Sequence, residues 1–400
     1  MLDFRLDEEQ RLLQDMAREF AAKEVAPQAR ENDERQHFDA DLLPKMADLG
    51  LLGVCIPERY GGAGMDYVSL GLVCEALEYA DSSARTVVSV HVGLNSLTLL
   101  IWGTEEQKER FLVPQAQGRK IGCFGLTEPN AGSDVLGMQA TARRVGEYYV
   151  LNGEKMWISL APVADHFLVF AYTDREKRAR GLSAFVVEKG APGLSVAEIH
   201  GKMGLRGSCA GSVALSDTPV PVANRLGEEG EGFVIAMSAL DNGRFGLAAG
   251  ATGLIAAAHD ASVAYAQSRQ AFGAPIGQLQ LVKEMLAEQV SLLEAARLLW
   301  WRAGWMKNQG QPNTRETSLA KWFATEGAVR AADLAIQVHG GYGYSNEYPV
   351  ERFYRNARAT TLYEGTSQIH KLLQADFALG YRAYKSPRCT LPPYGVEEEE

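Results

Sequence analysis

The sequence predicts an α+β protein of several domains. An N-terminal all-α domain is expected over 1–121, a small β-barrel or sandwich over 122–232, a C-terminal four-helix bundle over 233–385, and a tail over 386–400. Three observations predict this order. Apolar residues recur at helical spacing up to about residue 120. Short runs rich in β-branched and aromatic residues, separated by turn signals, then replace them. From Phe233 the helical period returns and persists. At 400 residues and 46% hydrophobic, the chain has apolar material for two or three cores.

Asp7 is placed to cap a first helix with the apolar face Leu12, Leu13, Met16 and Phe20, ending before Pro27. A second helical stretch runs through Leu42, Met46 and Leu49 to Gly50, and Gly61, Gly62 and Gly64 form a loop. The apolar segment from Tyr67 to Trp102 is broken by Asp81-Ser82-Ser83 into two helices, and Thr104-Glu105-Glu106-Gln107 is a capping box. Strands are expected at Cys123 to Leu126, Tyr148 to Leu151, Met156 to Ser159, His166 to Tyr172, Leu182 to Val187, Leu194 to Ile199 and Ser212 to Leu215. Asn152-Gly153 and Lys189-Gly190 read as turns between them. The bundle's helices are Leu247 to Ser268, a stripe from Leu281 to Trp300, Ser318 to His339 stopped by Gly340-Gly341, and one after Glu364 ending at Gly380. The tail from Ser386, with prolines and Glu397 to Glu400, is expected to lie draped on the surface or disordered.

A net charge of −10 argues against bulk attraction to nucleic acid or an anionic membrane, so a phosphate-bearing ligand needs local arginines and backbone amides. The five cysteines are scattered, which suggests reduced thiols and a cytoplasmic location. Met1 to Gln10 is acidic and amphipathic, unlike a signal peptide, and no apolar run is expected to reach membrane length. The seven histidines show no paired-ligand spacing, so no metal site is expected.

Chemistry concentrates in a few blocks. Leu126-Thr127-Glu128-Pro129-Asn130-Ala131-Gly132-Ser133-Asp134 follows a strand and offers successive amides and hydroxyls to a polar ligand; an ordinary polar loop has the same composition. Lys155-Met156-Trp157-Ile158-Ser159 carries an indole and a hydroxyl, with a core tryptophan as the simpler reading. Arg269-Gln270-Ala271-Phe272-Gly273 ends a helix, where an arginine also suits the dipole. In Tyr363-Glu364-Gly365-Thr366-Ser367-Gln368, Thr366 or Ser367 can cap the following helix, which puts Glu364 on a loop just outside its N-terminus.

Together, in this order and with Gln337-Val338-His339-Gly340-Gly341, these blocks resemble the acyl-CoA dehydrogenase family over the chain to about Tyr381. The resemblance implies FAD held between the β domain and the bundle. Leu126, Thr127, Ser133, Trp157, Ile158 and Ser159 would line the isoalloxazine. Arg269, Phe272 and Gln280 would reach FAD in a neighbouring subunit, and Gln337, Gly340, Gly341, Thr366 and Gln368 would also contact it. A homotetramer built as a dimer of dimers and an electron-transfer flavoprotein as acceptor are implied as well. Glu364 matches the family's α-proton base for an acyl-CoA thioester, which becomes trans-2-enoyl-CoA. Ser133, Asp241, Arg244, Tyr363 and Gly365 would line the substrate. Some members carry the base where this chain has Gly243, which leaves Glu364. Ser159 stands where threonine is common, and Leu160-Ala161 replaces the usual Asn-Gly.

Ser83 to Val90 and Gly122 to Gly125 look like glutaryl-CoA dehydrogenases, in which an arginine at the place of Arg85 pairs with the distal carboxylate; the other reading of Arg85 is a solvated residue at a helix start. An oxidase of the same fold, passing electrons to oxygen, is a further alternative. So is a catalytically idle relative, against which the intact Glu364 argues. The helix N-terminus lowers the Glu364 pKa and an apolar pocket raises it; desolvation is expected to win only with substrate bound.

Overall fold

The computed structural model describes residues 5–384, so the tail expected from Ser386, with Cys389, lies outside the described residues. Helix α1 (Glu8–Phe20) opens on a capping box in which the Asp7 carboxylate accepts from the Gln10 amide and the Gln10 side chain reaches back. The helix does not end before Pro27. A π turn (Ala21–Val25) and a 3-10 turn (Ala26–Gln28) carry it into α2 (Ala29–Arg35). Altered hydrogen-bond spacing absorbs the proline's missing N–H, so the chain continues where a regular α-helix stops.

After α3 (Leu42–Asp48), Asp66 caps α4 (Tyr67–Ala80) and Asp81 caps α5 (Ser82–Val88), which gives the expected break. A π segment (Ser89–Ser96) joins α5 to α6 (Leu97–Trp102). Thr104 then caps α7 (Glu105–Gln107), and a π turn (Lys108–Leu112) leads to α8 (Val113–Ala116). Contrary to expectation, two helices, Ser82–Trp102 and Gly232–Ser268, are long and apolar enough to cross a membrane by length and composition. Their apolar windows are 94% and 72% buried inside the fold. A helix enclosed by other layers is apolar all round, whatever surrounds the protein.

The middle of the chain forms one sheet in the order β6-β7-β3-β2-β4-β5-β8, with β1 parallel to β4. Its strands are β1 (Gly122–Gly125), β2 (Thr141–Val145), β3 (Tyr148–Ser159), β4 (His166–Tyr172), β5 (Leu182–Glu188), β6 (Leu194–Glu198), β7 (Ala210–Pro221) and β8 (Arg225–Leu226). Two expectations fail here. Asn152-Gly153 is not a turn: β3 runs through it with a shift of register against β7, and Gly153 takes the extra twist at φ 147°. The true hairpin turns at Gly146 (φ 58°), between β3 and the unexpected β2. Only Ala142 of β2 is buried, so its charged sequence carries no apolar alternation to read.

Helix α9 (Gly232–Ser268) starts well before Leu247, so Asp241 to Arg244 lie within it. It packs on α4 and on α11 (Thr314–His339), and α10 (Gln280–Asn308) lies against both α9 and α11. Contact with α4 is at backbone range: a Cβ on Gly253 would stand 2.1 Å from the Glu75 carbonyl. A short hairpin, β9 (Gln270–Ala271) with β10 (Ala274–Pro275), follows α9. Gly340 (φ 60°) stops α11 as expected. The sequence reading missed α12 (Val350–Thr360), whose buried face mixes Arg352, Asn356 and Thr360 with Val350, Phe353 and Ala357, before α13 (Ser367–Ala378).

Candidate active site

Glu364 sits on the turn between α12 and α13. Thr366 caps α13 by accepting from the Ile369 amide, and Ser367 is the first helical residue. Glu364 (φ 55°) and Gly365 (φ 93°) are both left-handed. For glutamate this conformation costs about 1–3 kcal/mol, so surrounding contacts must impose it. Two buried cations do so: Arg244 Nε donates to the Glu364 carbonyl at 2.9 Å, and Lys321 Nζ donates to the Gly365 carbonyl at 2.6 Å. Arg244 is itself held by Asp241 at 3.1 Å, and Asp241 accepts from the Thr314 hydroxyl at 2.6 Å.

The Glu364 carboxylate lies against the backbone of α9. A Cβ built on Gly243 would be 2.9 Å from both carboxylate oxygens and 2.5 Å from Leu94 Cδ2, so nothing larger than glycine leaves the carboxylate where it is. Its Oε2 is enclosed by protein and has no hydrogen-bond partner. Burial pushes the Glu364 pKa up to about 7, against the pull of Arg85, Lys321 and Arg244. Desolvation therefore outweighs the three cations before any substrate enters, whereas the expectation from sequence made it win only with substrate bound.

Arg85 is not a solvated residue at a helix start. It is 1% exposed and ion-paired with the buried Glu78. It also donates to the Ser89 hydroxyl at 3.0 Å and the Tyr363 hydroxyl at 2.7 Å. Tyr363 thus links Arg85 to the residue beside it, Glu364. His370, from α13, binds the Ser318 hydroxyl at 2.8 Å, and burial together with Lys321 and Arg244 pushes its pKa down to about 3.

A second grouping forms where β3 meets the loop after β1. The Met156 amide donates to the Thr127 carbonyl at 2.9 Å. The register of β3 against β7 shifts between Lys155 and Ile158, and Trp157 takes φ 62°. This bulge turns the indole outward, to 59% exposure, so Trp157 is not a core residue. Ile158 faces the core at 2% exposure, leaving only its backbone for a ligand, while Ser159 is half-buried and Ser133 lies exposed on the loop. Leu126 is buried, and its carbonyl accepts from Lys155 at 3.3 Å. Lys155 also pairs with Glu128 at 2.8 Å. Neither Lys155 nor Glu128 was singled out as fixing this loop; a lysine among the apolar residues of a strand was the available signal.

A third grouping lines a recess of about 550 Å³ that includes Tyr265, Arg269, His339, Gly340, Gly341 and Tyr342. The Arg269 guanidinium lies 5.8 Å from the centre of the Tyr342 ring. Phe272, at the tip of the β9–β10 hairpin, is 94% exposed with φ 52°, and Gln280, Gln337 and Gln368 are exposed on α10, α11 and α13. The π segment Ser89–Ser96 ties the first two groupings together: Asn95 donates to the Cys123 carbonyl at 2.7 Å, and a Cβ on Gly93 would be 3.5 Å from Gly243 Cα.

A helical, β, helical chain thus carries, at the head of its bundle, a carboxylate on a left-handed turn with one oxygen enclosed and unpartnered. Three family models cover nearly all of it: the N-terminal domain of acyl-CoA dehydrogenase over residues 7–119, the middle domain over 123–218 and the C-terminal domain over 230–379. The chain belongs to the acyl-CoA dehydrogenase family. It is 42% identical over 372 residues to the short-chain specific acyl-CoA dehydrogenase of Clostridium acetobutylicum, covering 93% of this chain and 98% of that one. The structure of butyryl-CoA dehydrogenase from Megasphaera elsdenii is similar at a TM-score of 0.93 and 40% identity, over 94% of this chain and 100% of that chain. A glutaryl-CoA dehydrogenase in complex with glutaryl-CoA is similar at 0.94 and 38% identity, over 97% of this chain and 99% of that chain.

Proposed function

We propose that the protein removes hydrogen from Cα and Cβ of a short-chain acyl-CoA, giving the trans-2-enoyl-CoA, with Glu364 as the base for the α-proton. The observation that carries this is the unpartnered, enclosed Oε2 of Glu364, in a carboxylate whose pKa burial has pushed up to about 7. A base of that strength is half-ionised near neutral pH and strong enough to act on a weakly acidic carbon. Arg244 and Lys321 hold the successive carbonyls of Glu364 and Gly365, which fixes the turn that presents the carboxylate. The similarity to short-chain specific and butyryl-CoA dehydrogenases supports a short acyl chain.

The residues present fit FAD. Trp157 offers a flat exposed face beside the Thr127 loop, and the recess around Arg269 joins a guanidinium to the open backbone of Gly340 and Gly341, suited to a diphosphate. When bound, FAD supplies the acceptor for the β-hydrogen, as hydride. Leu126, Thr127, Ser133, Ser159 and the Ile158 backbone, with Gln337, Thr366 and Gln368, complete the proposed contacts; Phe272 and Gln280, exposed here, suit a neighbouring subunit of a homotetramer. We take 1–121, 122–232 and 233–385 as the domains, an electron-transfer flavoprotein as the electron acceptor and the cytoplasm as the location. Peroxide formation in place of flavoprotein-dependent dye reduction would make the protein an oxidase instead.

A second reading has its own observation. Arg85 is buried and donates to the Tyr363 hydroxyl, next to Glu364; on this reading it would receive the distal carboxylate of a glutaryl substrate. Glu78 already neutralises that guanidinium, which favours an uncharged acyl group.

The test is anaerobic titration of the yellow holoenzyme with butyryl-CoA. The natural protein should bleach; Glu364→Gln should bind acyl-CoA but reduce its flavin about 10²–10⁴-fold more slowly. Reduction by Glu364→Gln at the normal rate would remove Glu364 from the mechanism.

A further inference from the structure

Lys321 is 0% exposed, on the face of α11 that meets α9 and α13. Among the described residues it has no salt-bridge partner, and its ammonium donates to one backbone carbonyl, that of Gly365, at 2.6 Å. An ammonium held out of water without a paired carboxylate is costly, and a carbonyl dipole compensates it only in part. The other cations at this site are already committed, Arg85 to Glu78 and Arg244 to Asp241. The carboxylate that acts most on Lys321 is that of Glu364, with Glu326 contributing less and Arg244 opposing.

The groups around Glu364 come from every element packed on it: Cys74 and Glu78 from α4, Arg85 from α5, Asp241 and Arg244 from α9, Lys321 from α11, and Tyr363 and His370 from its own segment. Burial keeps Cys74, Tyr363 and His370 uncharged near neutral pH. Lys321 is thus the cation beside Glu364 that no other carboxylate neutralises by direct contact.

We propose that Lys321 is a positioning residue for Glu364: it pins the left-handed turn through the Gly365 carbonyl, and its charge keeps a share of the enclosed carboxylate ionised. This rests on Glu364 being the base, and it adds the device that lets a carboxylate stay in a dry pocket and still accept a proton. Burial alone drives the Glu364 carboxyl toward its neutral, inactive form, and a nearby positive charge opposes that. Burial also pushes the Lys321 pKa down, so the two groups titrate as a pair, and the charge on each depends on the other.

The experiment uses the FAD-loaded enzyme and two substitutions. Lys321→Gln removes the charge and leaves an amide donor one bond short of the Gly365 carbonyl; Lys321→Arg keeps both the charge and a donor. Flavin reduction by butyryl-CoA is followed by rapid mixing across pH, and the Glu364 carboxyl band, assigned by its loss in Glu364→Gln, is titrated by infrared difference spectroscopy without substrate. Lys321→Gln should raise the carboxyl pKa by about one unit or more, slow reduction about tenfold at pH 7 and recover at alkaline pH. Lys321→Arg should stay near the natural profile. An unmoved carboxyl band in Lys321→Gln overturns the proposal, as does a rate loss equal at every pH. If Glu364 is not the base, Glu364→Gln keeps its rate while the band still shifts with Lys321→Gln, so the two failures are distinguishable.

Discussion

Gly243→Ala probes how closely the candidate base is seated. The added Cβ would stand 2.9 Å from both Glu364 carboxylate oxygens and 2.5 Å from Leu94 Cδ2. Ordinary contact needs about 3.5 Å, so the carboxylate must retreat by about 0.6 Å and the leucine methyl by about 1 Å. Both atoms end flexible side chains, so the fold can yield. Replacing a glycine inside α9 gains about 1 kcal/mol of helix propensity, and crowding costs about 1–3 kcal/mol, leaving a net loss of about 0–2 kcal/mol. Misplacing a catalytic group by 1 Å costs about 10²-fold, so this shift should slow flavin reduction about tenfold. Gly246→Ala is the control on the same helix: its nearest neighbour, Cys74 Sγ, lies at 3.4 Å, and reduction should stay near the natural rate. Rapid-mixing reduction with butyryl-CoA measures the rate and a thermal melt measures the stability. A Gly243→Ala enzyme with natural rate and melting point would refute the seating of Glu364 against α9.

Three further outcomes concern buried ionisable groups. If Arg85 receives a distal carboxylate, glutaryl-CoA bleaches the flavin and Arg85→Ala abolishes that while butyryl-CoA oxidation survives; no bleaching by glutaryl-CoA ends the idea. The same change leaves Glu78 buried and unpaired, so stability should fall by about 3–5 kcal/mol, read as a lower denaturant midpoint. His91 is wholly buried and neutral, accepting from the Gly122 amide at 3.0 Å and facing the Gln115 carbonyl at 3.1 Å; burial pushes its pKa down to about 4 from 6.5. A depressed folded-state pKa gives stability that is complete above pH 6.5 and is lost as pH falls toward 4, about 2 kcal/mol by pH 5. His91→Met should be weaker at pH 7 and lose less on acidification; an equal loss in both proteins would show that another group sets the acid limb.

Much of this was legible in the chain because it is local. Asp7, Thr104 and Thr366 each satisfy an amide three residues ahead, a relation that spacing alone displays, and Asp81, read as a break between helices, caps the second of them. The change of period near residue 120 and its return at Phe233 reflect which face each element buries. Where local signals competed, the reading erred. Asn152-Gly153 carries a turn signature, yet pairing with β7 draws it into a strand, and Pro27 sits in a helix that changes its hydrogen-bond spacing to keep it.

The sequence by itself determined the three-part architecture, the family and the place of Glu364 at the mouth of a capped helix, since each is written in residues that are neighbours along the chain. Tertiary structure alone decided what surrounds that carboxylate. Lys321 meets Gly365 across 44 positions, Arg244 meets Glu364 across 120, and Arg85 meets Tyr363 across 278. It also decided that Arg85 is paired and dry, that Trp157 faces outward, and that the Glu364 pKa rises without a ligand. A pKa depends on the water removed and the charges brought near, and both are fixed only when helices distant in sequence close around the same few atoms.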